Sequence, residues 1–301
     1  MSILSAFSKK EESKKVSGHL KNFLADFSIE VMPRTASKIE SFKEILPQNT
    51  RVYIAHIEGV PIEEMVETAK RISGEGFAVM PHFPARIIKN QKILEDWINR
   101  YQSEAGVEQA LLLAGGVSSP HGDFTNSMQL VETELFEKYN FTHLHFAGHP
   151  EGNSDIDPDS SSKNVNEALS WKQKFKERTD INLALTTQFC FEAGPVIEWA
   201  NSLVAKGVDI PVHIGVAGPA KLQTLIKFSI ACGVGPSLRV LQKRAKDVKK
   251  LLLPFEPNDF LETLAEHKQN NPSFNITNVH FFPLGGINVN ASWIKSALNN
   301  K

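Results

Sequence analysis

The stretch Asp26-Phe27-Ser28-Ile29-Glu30-Val31-Met32, followed by Pro33-Arg34-Thr35, decides the fold. Phe27, Ile29 and Val31 share one parity and Ser28, Glu30 and Met32 the other, the period of a strand with one apolar face. A dinucleotide-binding sheet would follow its first strand with a GxGxxG turn, and proline-arginine-threonine is not one. Seven further β-type runs succeed it, at Val52–Ile57, Gly76–Phe83, Glu108–Gly115, His143–His149, Asn182–Cys190, Pro211–Gly218 and Val279–Gly285. Amphipathic helical patterns separate them, at Ile62–Ser73, Ile88–Tyr101, Asn126–Tyr139, Asn164–Arg178, Pro195–Lys206 and Ala220–Cys232. Pro195 and Pro219 stand where a helix begins, since a first-turn proline sacrifices no hydrogen bond. Eight such units in about 270 residues predict an α/β protein, a single-domain (β/α)8 TIM barrel over 26–301. Residues 1–25 read as a lysine-rich lead-in helix or arm, and the long interval from Gly218 to Val279 holds one or two extra helices.

Composition excludes several classes. Lysine and arginine total 33 against 34 acids, a net charge of -1. That balance lacks the basic excess of a nucleic-acid or membrane-surface binder. The hydrophobic fraction of 41% supports a sizeable core. Cys190 and Cys232 form neither a disulfide framework nor a CxxC zinc pattern. No apolar run approaches the roughly 18 residues of a membrane helix. In the opening MSILSAFSKKEESKK the lysines follow the short apolar stretch, unlike a signal peptide, so a cytoplasmic location is expected.

The parity of β-type runs selects the residues that face the barrel interior. Glu30 points inward at the C-terminal end of the first strand, where such barrels keep their active sites. A buried glutamate needs a partner or a task, and no inward lysine or arginine is obvious on the other strands. Histidines are frequent on the strands: His56, His82, His143, His145, His149, His213 and His280. The HxH of His143 and His145 keeps a metal-dependent hydrolase on the same barrel as an alternative. Against it, the pair lies early in its strand, and Glu30 has no second carboxylate near the end of strand eight. For His82 and His149, near the strand ends, hydrogen bonding to a ligand is the expected task. On strand six Ala184, Thr186, Gln188 and Cys190 take the inward parity and Thr187 and Phe189 the other. Gln188 donates and accepts at once, as recognition of an amide-like ring requires, while Cys190 reads as a small buried residue.

Over about Phe27 to Ile294 the chain resembles the methylenetetrahydrofolate reductase family. Ser28-Ile29-Glu30-Val31-Met32-Pro33-Arg34 is similar to the family's S-F-E-F-x-P-P, and Pro81-His82 to its P-H. Ala147-Gly148-His149-Pro150-Glu151 resembles A-x-Y-P-E, and Thr187-Gln188-Phe189-Cys190-Phe191 resembles T-Q-x-F-F/D. His280-Phe281-Phe282-Pro283-Leu284 resembles H-F-Y-T-L. The resemblance implies an FAD-dependent oxidoreductase that interconverts 5,10-methylenetetrahydrofolate and 5-methyltetrahydrofolate, with NADH or NADPH as electron donor. It implies Glu30 as general acid, its pKa raised by burial, and Gln188, Phe189 and Leu284 as folate contacts. It implies that Ala55, His56, His82, Ala114, Gly115, Gly116, His149, Glu151, Asn153 and Lys174 hold the cofactor, with no metal. A folate substrate and a homo-oligomer are the partners expected. The chain departs from the family where Ala114-Gly115-Gly116 replaces R-G-D, Ala55-His56-Ile57 replaces T-Y-G, and Gly152-Asn153 replaces a histidine. These departures imply a divergent branch with altered flavin tuning, donor or direction. They leave open a related C1-pterin-binding protein with altered or lost activity.

Overall fold

β1 (Ser28–Val31) pairs on one side with β2 (Arg51–Ile54) and on the other with β8 (Ile276–Phe282), which closes the sheet. Between them run β3 (Ala78–Pro84), β4 (Gln109–Leu113), β5 (His143–Gly148), β6 (Asn182–Cys190) and β7 (Val212–Ala217). All pairs are parallel and the order around the barrel is the order along the chain. This is the (β/α)8 barrel that the alternation predicts. The computed structural model describes residues 17–245 and 254–299. The lead-in expected over 1–25 lies outside them up to residue 16. Its described part is a helix, Gly18–Phe23, that buries Leu20 and Phe23 in the shell, while Ser17 Oγ donates to Glu262 at 2.6 Å.

The helices form where local chemistry allows. Ile62–Gly74 carries Glu63 and Glu64 in its first turn, favourable at the positive end of the helix dipole. It turns Met65, Val66, Ala69 and Ile72 onto the sheet. Gln91–Ala105 begins where Asn90 accepts the Ile93 N–H and ends at Gly106, whose φ of 62° suits glycine. The helix expected over Asn126–Tyr139 is two, Ser127–Val131 and Leu135–Lys138, because the chain passes through a left-handed residue at Glu134. The long interval holds three described helices, Leu222–Ala231, Gly235–Ala245 and Asn258–Asn270. Pro219 opens none of them: the chain first makes an antiparallel bridge between Ala220 and Phe255. β8 starts earlier than expected, so His280 sits well inside it. Among the described residues no helix is long and apolar enough to cross a membrane.

Outward residues such as Ile29, Val31, Val52, Ile54, Leu112 and Phe146 join the helices in one core. The interior holds a smaller apolar plug of Tyr53, Met80 and Leu111. β6 breaks strict alternation. Its pairing with β7 shifts between Thr186 and Phe189, a bulge that reverses the parity beyond it. Cys190 therefore lies in the outer core, and Phe189 packs on Phe282 and Ala217 at the mouth, the reverse of the alternation read from sequence.

Gly215 lies against this bulge. Its N–H donates to Thr187 Oγ1 at 2.8 Å, and a Cβ there would lie 2.4 Å from Thr187 O and 2.5 Å from Gln188 O. Gly215→Ala should cost about 1–3 kcal/mol, the usual penalty for overpacking. Urea denaturation measures it, and an unchanged midpoint would show that the bulge yields freely.

Candidate functional site

Glu30 enters the mouth from the end of β1 because Ile29 and Val31 are held in the shell. It does not stand alone. Its Oε2 lies 3.2 Å from His82 Nε2, at the end of β3, and 3.7 Å from His280 Nε2, on β8. His280 is fully buried, and its Nδ1 shares a 2.9 Å hydrogen bond with Ser28 Oγ. Burial, the largest single influence, pushes the Glu30 carboxyl up. The combined pull of His82 and His280 overrides it and holds the group at about 2. The pKa raised by burial that the sequence argument called for is thus reversed by two histidines that reach the same oxygen.

Below this triad the interior is polar. The Tyr53 hydroxyl shares a 2.6 Å hydrogen bond with His145 Nδ1, which lies 3.2 Å from Thr186 Oγ1. The His145 and His213 rings meet edge to face at 4.6 Å. Burial pushes His145 well down and His213 down to about 3. An inward cation exists after all: Arg51, whose Nε donates to Gln109 Oε1 at 2.7 Å at the N-terminal end of the barrel. Among the described residues no group of three or more His, Cys, Asp or Glu side chains is placed to hold a metal ion.

The folate contacts implied by the resemblance lie together. Gln188 is half-buried in the bulge and its Oε1 accepts the Phe189 N–H at 3.1 Å. Phe189 and the half-buried Leu284 belong to one apolar cluster with Phe282. The Cys190 thiol is pushed well up, chiefly by burial, and is no nucleophile.

The cofactor set converges only in part. Ala55 and His82 are buried at the mouth; after Ala114, Gly115 backs on Pro84, where a Cβ would lie 3.1 Å from the Pro84 Cβ, and a Cβ on Gly116 would meet nothing within 4 Å. His149 and Glu151 follow β5 and are half-buried. His56 turns outward instead: its ring packs on Trp97 at 4.8 Å and its Nε2 shares a hydrogen bond with Val60 O. Asn153 is occupied in its own turn, with Oδ1 accepting from Asp155 and Ile156 N–H. Lys174 is exposed on the outer face of its helix.

The buried cation is Lys172, two residues earlier and on the apolar stripe with Val165, Leu169 and Phe175. Its Nζ donates to Ala147 O at 2.9 Å, and burial lowers it to about 8. Burial and then the Lys172 charge lower His149 to about 4. A lysine in step with the apolar residues of a helix was the signal in the sequence.

No protein-family model matches the chain. The structure is similar to that of an uncharacterized protein from Clostridium thermocellum that binds two copies of 5-methyl-5,6,7,8-tetrahydrofolic acid. The TM-score is 0.55 and the identity 12%, over 93% of this chain and 96% of that one. It is also similar, at a TM-score of 0.42 and 11% identity, to a mandelate racemase/muconate lactonizing enzyme from Bordetella bronchiseptica RB50. That match covers 91% of this chain and 56% of the other. At 12% identity the likeness to the Clostridium thermocellum protein is one of fold.

The buried imidazoles fix the direction of the pH response. His213 at about 3 and His149 at about 4 lie below the ordinary 6.5, so the unfolded chain takes up protons first as pH falls. Their contribution is complete above 6.5 and is lost as pH drops from 6.5 toward about 4. Glu30, at about 2 against 4.5, adds a further loss below 4.5. Stability from urea melts should rise above about pH 8, where Lys172 at about 8 against 10.5 contributes, and fall below 6.5, by up to about 1.4 kcal/mol per pH unit for each such histidine. His213→Leu should make the slope shallower. A stability that rises on acidification contradicts the assignment.

Proposed function

We infer that the chain binds a reduced C1-folate over the mouth of the barrel and interconverts its 5,10-methylene and 5-methyl forms. The observation that carries this reading is the 3.2 Å contact of Glu30 with His82 in the mouth, with the Gln188 carboxamide half-buried at the end of β6. A structure of the same fold that binds 5-methyltetrahydrofolic acid supports the ligand class.

Reducing the methylene bridge breaks its bond to one folate nitrogen. That nitrogen gains a proton and the bridging carbon gains a hydride. Glu30 by itself is a poor proton source at neutral pH, because its carboxyl is held at about 2. Its Oε2 lies 3.2 Å from His82 Nε2, so the two form a relay in which a proton moves between them and Glu30, the more exposed of the two, passes it to the folate. In the oxidative direction the pair takes the proton back. His280, pushed down chiefly by burial, stays neutral and fixes the carboxylate, its own ring held by Ser28. The Gln188 Oε1 is engaged with the Phe189 N–H, so its amide N–H groups face the pterin as donors. Phe189 and Leu284 supply an apolar wall. The backbone of Ala55 and Ala114–Gly116, His149 and the Lys172 charge behind the end of β5 would hold an anionic flavin such as FAD, which when bound would supply the hydride chemistry, with NADH or NADPH as reductant.

Titration with 5-methyltetrahydrofolate should give saturable binding. Added FAD should be retained, bleached by NADH or NADPH, and restored by 5,10-methylenetetrahydrofolate. No folate binding overturns the reading, and folate binding without FAD uptake reduces it to a C1-pterin-binding protein. Gln188→Ala should weaken folate binding by about 1–3 kcal/mol with flavin retained, since a polar partner is left unpaired. Unaltered folate affinity in calorimetry would remove Gln188 from the site. Glu30→Gln should leave bleaching intact and slow the folate half-reaction by roughly 10²–10⁴-fold, the worth of a positioned acid. Rapid mixing separates the two half-reactions, and a parental folate rate would make Glu30 merely structural.

A further inference from the structure

A run of aromatic rings leads from the acid site to a cation that the chemistry above does not use. The His280 ring lies 4.9 Å from Phe282, and Phe282 lies 5.5 Å from Phe189. Phe189 lies 5.8 Å from Phe191, and Phe191 lies 5.2 Å from Phe255. Phe255 is fixed by paired backbone hydrogen bonds with Ala220. The Arg244 guanidinium stands 5.3 Å over the Phe255 ring, at the end of the helix Gly235–Ala245.

Arg244 is half-buried, and its Nε is buried with no hydrogen-bond partner among the described residues. A buried donor without an acceptor costs free energy, more so when it is charged. Stacking on Phe255 offsets part of that cost but supplies no acceptor. The acceptor that matches a guanidinium fork is a carboxylate. A reduced folate carries its groups in the matching order: a pterin, an aromatic p-aminobenzoyl ring, then glutamate carboxylates.

We propose that Arg244 receives the glutamate carboxylate of the bound folate, with the Phe282–Phe255 run as the wall for its p-aminobenzoyl ring. The proposal rests on the folate reading and names the part of the ligand that this chain selects. It makes the substrate class a glutamate-bearing folate rather than a bare pterin.

The test compares two ligands on the full chain by calorimetry. One is 5-methyltetrahydrofolate. The other is the amide of 5-methyltetrahydropteroic acid, which keeps both ring systems and ends in a neutral carboxamide. The parent should bind the folate about 10- to 100-fold more tightly, the worth of a charged hydrogen-bonded pair. Arg244→Gln should abolish that preference and leave the affinity for the amide unchanged. Arg244→Lys, which keeps the charge without the fork, should restore part of it. Equal binding of both ligands by the parent, or a preference that survives Arg244→Gln, overturns the role of Arg244 and leaves the folate reading standing. Binding of neither ligand overturns both. The comparison on the parent needs no variant, so an unstable Arg244→Gln protein does not protect the proposal.

Discussion

A single carboxylate oxygen organises the mouth of this barrel. Glu30 Oε2 sits at the rim of a narrow interior, where an unpaired charge costs several kcal/mol. It is tolerated because His82 and His280 reach it from β3 and β8. His280 in turn needs a fixed ring, and Ser28, two residues before Glu30 on the same strand, supplies the hydrogen bond. Acid, orienting histidine and anchoring serine are thus tied across the seam where β8 closes on β1. Closure of the barrel and assembly of the site are one event.

The second constraint is the bulge on β6. A regular strand would turn Phe189 to the helices and Cys190 inward. The shifted pairing with β7 turns Phe189 into the mouth and leaves Gln188 at the corner, its side chain folded back on the next amide. Such a corner needs a neighbour without a side chain, and Gly215 on β7 is that neighbour. The placement of Gln188 and Phe189 therefore depends on a backbone irregularity and on the glycine that admits it. Bulges beside active sites re-aim side chains in this way.

The barrel was legible in the sequence because each strand buries an apolar face against helices at a period of two. Phe27, Ile29 and Val31 placed Glu30 inward without further help. What escaped was what depends on neighbours across the sheet. Nothing in the run Thr187-Gln188-Phe189 announces a bulge, since the pairing partner is on β7. Glu30 read as a lone acid because its partners, on β3 and β8, are brought to it only when the barrel closes. His56 read as a mouth residue, but it lies one step beyond Ala55 and takes the outward parity, toward Trp97. That error was avoidable by extending the alternation of β2.

Lys172 and Lys174 show how a helix decides between two chemically equal residues. Two positions apart on a helix is about 200°, so one of the pair faces the sheet when the other faces solvent. Val165, Leu169 and Phe175 define the inward stripe, and Lys172 completes it at the three- and four-residue steps. Burying an ammonium there lowers its pKa and obliges it to donate to Ala147 O at the end of β5. That cost brings no gain in packing that leucine would not surpass. Its return is positional: a positive charge behind the end of β5 that, with burial, lowers His149. With Glu30 and its histidines at the closing seam and Lys172 behind β5, the rim is electrostatically divided. A carboxylate with two histidines lies beside β1 and a buried ammonium behind β5, in a chain whose net charge is only -1. Net charge therefore says little about what binds here, because the fold separates the charges that the composition sums.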